Sequence, residues 1–133
     1  MDTLINERLV ELTQGLLFMS ESDYPFEQLV LDALCEDDTL EAYFKRHFEA
    51  AAAQGYDTLD LATFLKQSMR TYEGMTPEDL LVAARFVQLY DYLKLNAQEV
   101  QVFKTKGVQR ECFILALSKD GLPLGVKTTA IET

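Results

Sequence analysis

The sequence predicts an α/β fold: a compact sandwich of helices packed on a largely antiparallel sheet, with a C-terminal strand meander. Three observations predict it. Through residues 4–96 apolar side chains recur at spacings of three and four, the signature of helices with one buried stripe. Beyond Asn96 the period shortens, in Glu99-Val100-Gln101-Val102-Phe103 and in the apolar run Cys112-Phe113-Ile114-Leu115-Ala116-Leu117. Turn signals at Lys106-Gly107 and Asp120-Gly121 divide this last third into three strands, whose apolar faces the helices must cover.

Taken in order, Ile5, Leu9, Leu12 and Leu16 form one face of a first helix, with Glu7, Arg8, Glu11 and Gln14 on the other. Gly15 blurs its end. Ser20-Glu21-Ser22-Asp23 interrupts the apolar run, and Pro25 biases Tyr24 away from helix, so Ser20 to Pro25 is expected as an exposed, ordered loop. Phe26 to Leu34 suits either a helix or a strand. Asp38 or Thr39 can cap a helix carrying Leu40, Tyr43, Phe44 and His47, and Gly55 is a plausible stop after the alanine-rich stretch 50–53. Thr58-Leu59-Asp60 reads as an extended entry to a short helix with Leu61, Phe64 and Leu65. Thr76-Pro77-Glu78-Asp79 is the strongest start signal, with Thr76 as N-cap and Pro77 at the first helical position. The long helix it opens is expected to run to about Asn96, with Leu80, Ala83, Ala84, Val87, Tyr90 and Leu93 inward.

With 133 residues, 48% of them hydrophobic, the chain is expected to form a single domain over residues 1–133 with a sizeable core. No stretch approaches the roughly 18 to 20 apolar residues of a membrane span, and Met1-Asp2 opens neither a basic leader nor a lipidation signal. A cytoplasmic, soluble protein is expected. Its 12 basic and 22 acidic residues give a net charge of -10, and the excess is local: residues 1–41 hold 11 acidic residues against Arg8 alone. Such a field disfavours nucleic acid and anionic membrane as partners and speeds encounter with a basic protein; ordinary solubility is the plain alternative. Cys35 and Cys112 form no thiol motif and are expected to be reduced and packed, with pairing across the fold left open.

The chain carries no signature of catalysis. His47 is the only histidine, placed inside a helix among aromatic residues, and GxSxG, HExxH, dinucleotide and Walker A patterns are absent from the sequence. Its carboxylates lie mostly in polar loop sequence, without the apolar surroundings that raise a general acid's pKa. Lysines and arginines are dispersed rather than gathered into a nucleic-acid-binding patch. No catalytic, cofactor or metal residue is expected, and the chain reads as not an enzyme.

One segment is distinctive. Gly15-Leu16-Leu17-Phe18-Met19-Ser20-Glu21-Ser22-Asp23-Tyr24-Pro25-Phe26-Glu27 resembles the N-terminal signature of the nuclease A inhibitor family, small inhibitors of sugar-nonspecific bacterial nucleases. Gly125-Val126-Lys127-Thr128-Thr129-Ala130-Ile131-Glu132-Thr133 is similar to that family's final Gly-x-x-Thr-x-x-x-Glu-Thr run, and Ala84-Arg85-Phe86 and Val100-Gln101-Val102-Phe103 stand between them in matching order. The resemblance implies an α/β sandwich and a monomeric plug for the basic, metal-containing cleft of a nuclease. It implies that Glu21 lies in an acidic contact loop and that Thr133, accompanied by Glu132, points toward the partner's catalytic Mg²⁺. Tyr24 and Tyr72 are the implied aromatic contacts, and the chain needs no cofactor of its own. It departs from the family pattern at Thr71-Tyr72, where inhibitors commonly carry Trp-Tyr. Loss of a large interface anchor costs a few kcal/mol when it is a hot spot, so a diverged protein-interaction or regulatory domain on the same scaffold is the alternative.

Overall fold

A computed structural model describes residues 2–19, 23–29, 31, 39–119 and 121–131. In chain order these form α1 (Asp2–Thr13), β1 (Leu17–Met19), β2 (Asp23–Pro25), β3 (Glu27–Gln28), α2 (Leu40–His47), α3 (Glu49–Ala53), β4 (Tyr56–Leu59), α4 (Leu61–Met69), α5 (Pro77–Asn96), β5 (Ala97–Thr105), β6 (Gln109–Ser118) and β7 (Pro123–Ile131). Five strands make one sheet in the order β3-β7-β6-β5-β4, every neighbour antiparallel, while β1 and β2 pair only with each other. The C-terminal meander is β5-β6-β7, as the sequence predicts.

Helices cover both faces of this sheet. Side chains alternate along a strand, so Val102, Cys112, Ile114, Ala116, Leu124, Val126 and Ala130 meet α1, α4 and α5 in one core. Phe103, Phe113 and Leu115 face the other way and meet α2 and α3, where Phe44 stacks on Phe103 at 4.5 Å and meets Phe113 edge-on at 5.1 Å. Burial on both sides explains why β6 reads as a nearly unbroken apolar run. Gly125, central on β7, permits the strand spacing here: a Cβ at this position would stand 2.5 Å from the Ile114 carbonyl oxygen on β6.

Local chemistry sets the helix starts. Thr39 accepts from the Ala42 amide at 3.0 Å and Thr76 from the Asp79 amide at 3.1 Å, each supplying an acceptor that the first turn lacks. The inward face of α5 differs from the expected one. Ala83, Phe86, Leu89 and Leu93 are buried, whereas Leu80, Ala84 and Val87 are exposed and Tyr90 is half-buried. The helix is apolar on two sides, so spacing alone admits either phase, and contact with α1 and α4 selects the one containing Phe86. Two smaller corrections belong to the N-terminal third. α1 ends at Thr13, before Leu16, and Asp23–Pro25 is the second strand of a hairpin rather than loop. Within Phe26 to Leu34, Glu27 and Gln28 form a short strand on the edge of β7.

Candidate functional site

The β1–β2 hairpin is built from three residue pairs, Leu17 with Pro25, Phe18 with Tyr24 and Met19 with Asp23. A ribbon this short does not hold itself in water. Two moorings fix it. On the helical side Phe18 is buried, stacked on Phe64 of α4 at 4.8 Å, and meets Phe26 edge-on at 6.3 Å; Phe26 in turn meets Phe86 of α5 at 6.1 Å. On the sheet side the buried Thr128 hydroxyl donates to the Pro25 carbonyl at 2.9 Å and lies 3.3 Å from the Tyr24 carbonyl. Tyr24 is therefore half-buried and tied to β7 through its backbone, which leaves its ring edge partly in solvent.

The register sets the direction of each segment. β3 runs antiparallel to β7, with Glu27 opposite Lys127, and the Thr128 bonds continue that alignment backward into β2. Asp23 and Ile131 consequently lie toward the same end of the molecule. α5 runs opposite to β7, away from this end. Its last turn passes directly into Ala97, opposite Ser118, while Phe86 reaches Phe26 halfway along β7. Its 20 residues span about 30 Å, as do the nine residues of β5 running back beside it. The N-terminus of α5, and the loop before it that holds Tyr72, are thus carried to the end where β7 finishes. Tyr72 is 61% exposed, and its amide donates to the Met75 sulfur at 3.2 Å.

Of the residues that the resemblance implies, Tyr24 and Tyr72 are on described elements. Glu21, Glu132 and Thr133 lie outside the described residues, as does Cys35. Met19, Asp23 and Ile131, the described residues that border 20–22 and 132–133, are all at this end. Sequence reasoning missed two residues that organise it. Thr128 enters the sequence reading as a strand residue within the Gly-x-x-Thr run, with no contact assigned. Arg85 enters it only within Ala84-Arg85-Phe86, yet its Nη2 donates to the Gln14 carbonyl at 2.6 Å and the Leu12 carbonyl at 3.2 Å, fastening the end of α1 to α5. A cation there also meets the negative end of the α1 dipole.

The remaining polar groups are structural. Tyr56 donates to Glu41 Oε2 at 2.7 Å, and burial, then that hydrogen bond and the Glu41 charge, push its phenol up to about 12. His47 is exposed and stacks on Tyr43 at 4.0 Å. Beside it, Lys127 Nζ stands 3.6 Å from Glu111 and 5.8 Å from the centre of the Phe113 ring. Cys112 is buried, and its thiol donates to the Arg110 carbonyl at 3.8 Å. Among the described residues no group of His, Cys, Asp and Glu could hold a metal ion, and no helix is long and apolar enough to cross a membrane.

A search of curated proteins returned no match to the chain. A family model described as nuclease A inhibitor-like protein matches residues 3–133. The chain belongs to that family.

Proposed function

We propose that this nuclease A inhibitor-like chain is a non-enzymatic protein that binds a sugar-nonspecific, metal-dependent nuclease and occludes its active-site cleft. Family membership across residues 3–133 is the observation that carries the reading. The arrangement of the described elements supports it: segments bordering Glu21 and Glu132-Thr133 converge with the Tyr72 loop on one end of the molecule, suited to entering a cleft.

The chemistry is complementary. A nuclease indifferent to base sequence holds phosphates with Arg, Lys and a divalent cation, and such a cleft also attracts an acidic protein of net charge -10. In this reading Glu21 pairs with a basic residue lining the cleft. Glu132 and the hydroxyl and terminal carboxylate of Thr133 approach Mg²⁺ held by the nuclease, directly or through water. Tyr24 and Tyr72 pack against the rim. The metal is the partner's, and the inhibitor contributes no cofactor, contacts no nucleic acid or membrane, and acts as a cytoplasmic monomer.

The test is titration of the purified chain into a sugar-nonspecific, Mg²⁺-dependent nuclease at fixed free metal, following DNA cleavage and complex formation together. Stoichiometric binding with loss of cleavage is expected, with Glu21→Ala and deletion of Thr133 weakening inhibition without unfolding the chain. Unchanged cleavage at saturating inhibitor, across several such nucleases, would overturn the proposal.

A further inference from the structure

Part of the α5 face that sequence periodicity assigns to the core, Leu80, Ala84 and Val87, is instead in solvent, and Leu81 beside it is exposed as well. Leu80 is 44% exposed, Leu81 64% and Val87 39%, with exposed Ala84 between them. These positions fall on one side of the helix, opposite the buried Ala83, Phe86, Leu89 and Leu93. A stripe of three large aliphatic side chains over two turns is costly to leave in water, and among the described residues all three are exposed. It follows in sequence the loop holding Tyr72, whose side chain is exposed too.

Its surroundings are mainly acidic, bounded in sequence by Arg70 and by Arg85, whose guanidinium is turned to the carbonyls at the end of α1. From Thr71 to Ala84 the chain contains Glu73, Glu78 and Asp79 and no lysine or arginine. All three acids are exposed. An isologous contact between two copies of this patch would set these carboxylates near their own counterparts, which like-charge repulsion disfavours. A basic protein surface with an apolar centre fits them instead. α5 is also a rigid platform: 20 residues, capped by Thr76 and fastened to α1 by Arg85, so docking on it orders little that is not already ordered.

We propose that Leu80, Leu81, Ala84 and Val87, with Tyr72, form an apolar anchor, rimmed by acids, that docks on the basic margin of the partner nuclease's cleft. The inference rests on the function proposed above and adds a surface to it. It also gives the chain an apolar contact at a site where Thr71 stands in place of the family's indole.

Three substitutions at Leu81 and one at Leu95 test it. Leu95 is 71% exposed on the same side of α5, near its other end and beyond Gln88 and Asp91, and serves as the control. Binding of each variant to a sugar-nonspecific, Mg²⁺-dependent nuclease is measured by titration calorimetry, with circular dichroism confirming the helix and sedimentation giving the oligomeric state. Leu81→Ala is expected to weaken binding tenfold or more. Leu81→Arg should lose more than Leu81→Asp, because the two remove the same apolar contact and differ in charge toward a basic partner. Leu95→Asp should bind like the parent chain. If the parent binds and all Leu81 variants match it, the anchor is wrong while the inhibitor function stands. If the parent binds none of several nucleases, both fall. A parent dimer that Leu81→Arg converts to monomer would assign the face to a second copy and overturn the nuclease contact.

Discussion

Replacing Thr128 with valine removes one hydroxyl and leaves the shape of the side chain almost unchanged. That hydroxyl is buried and is the donor for the Pro25 carbonyl at 2.9 Å and the Tyr24 carbonyl at 3.3 Å. One hydrogen shared between two carbonyls is worth about 1 to 2 kcal/mol, because losing it leaves both partly buried oxygens without their donor. The methyl that replaces it recovers up to about 0.8 kcal/mol of burial. The net cost is therefore about 1 kcal/mol, and it is local to the β1–β2 hairpin. In urea, with an m-value of about 2 kcal/mol/M, the midpoint should fall by about 0.5 M at constant m. Hydrogen exchange reads the loss at the hairpin itself: amides of Phe18 and Tyr24 should exchange about fivefold faster. If Glu21 is used in binding, the loosened hairpin must be re-ordered in the complex, and affinity falls with it. A variant with the parent's urea midpoint and the parent's hairpin exchange would refute the mooring role of Thr128.

Other perturbations follow from the same geometry. Arg85→Ala should cost about 1 to 2 kcal/mol by freeing the carbonyls at the end of α1, with the loss concentrated in α1 exchange and visible in thermal melting. Arg85→Lys, lacking the planar fork, should recover part of it. Gly125→Ala should destabilise by about 1 to 3 kcal/mol in urea, since the clash with the Ile114 carbonyl outweighs the roughly 0.4 to 1 kcal/mol gained from a stiffer unfolded chain. An unchanged midpoint would mean that β6 and β7 can part at no cost. For Tyr56 the sign is set by a folded pKa of about 12 against a model value of 10. The folded state holds that proton more tightly, so the contribution is complete below pH 10 and is lost as pH rises from 10 toward 12. The stability difference between the parent and Tyr56→Phe should shrink over that interval, and a difference independent of pH would refute it.

Features encoded within a few residues are legible in the sequence. Thr76-Pro77 predicts the start of α5 because capping is a contact between neighbours, and the three strands of the meander follow from apolar runs between turns. Features decided by packing are not. α5 carries leucines and valines on opposite sides, and which side is buried depends on Leu12, Gln14 and Phe64, residues remote from it in the chain. β1 and β2 are three residues each, too short to show a period of two, and their pairing is enforced by Phe18 in the helical core and by a hydroxyl more than 100 residues away. At the candidate site, the aromatic residues Tyr24 and Tyr72 stand out by type. Arg85 lies in the matching Ala84-Arg85-Phe86, but its role there is not legible, because its partners are backbone carbonyls that any residue would supply.

The position of β7 has a consequence for biogenesis. It is synthesised after the other described strands, yet it lies inside the sheet, with β6 on one side and β3 on the other. It brings Leu124, Val126 and Ala130 to the main core. Glu27 and Gln28 have no strand to join until Lys127 and Val126 have left the ribosome. The nascent chain must therefore wait with its N-terminal hairpin held on the helical side alone and its sheet incomplete, and closure then depends on contacts spanning about 100 residues, which form slowly. The hairpin end is therefore completed only after β7 has been made.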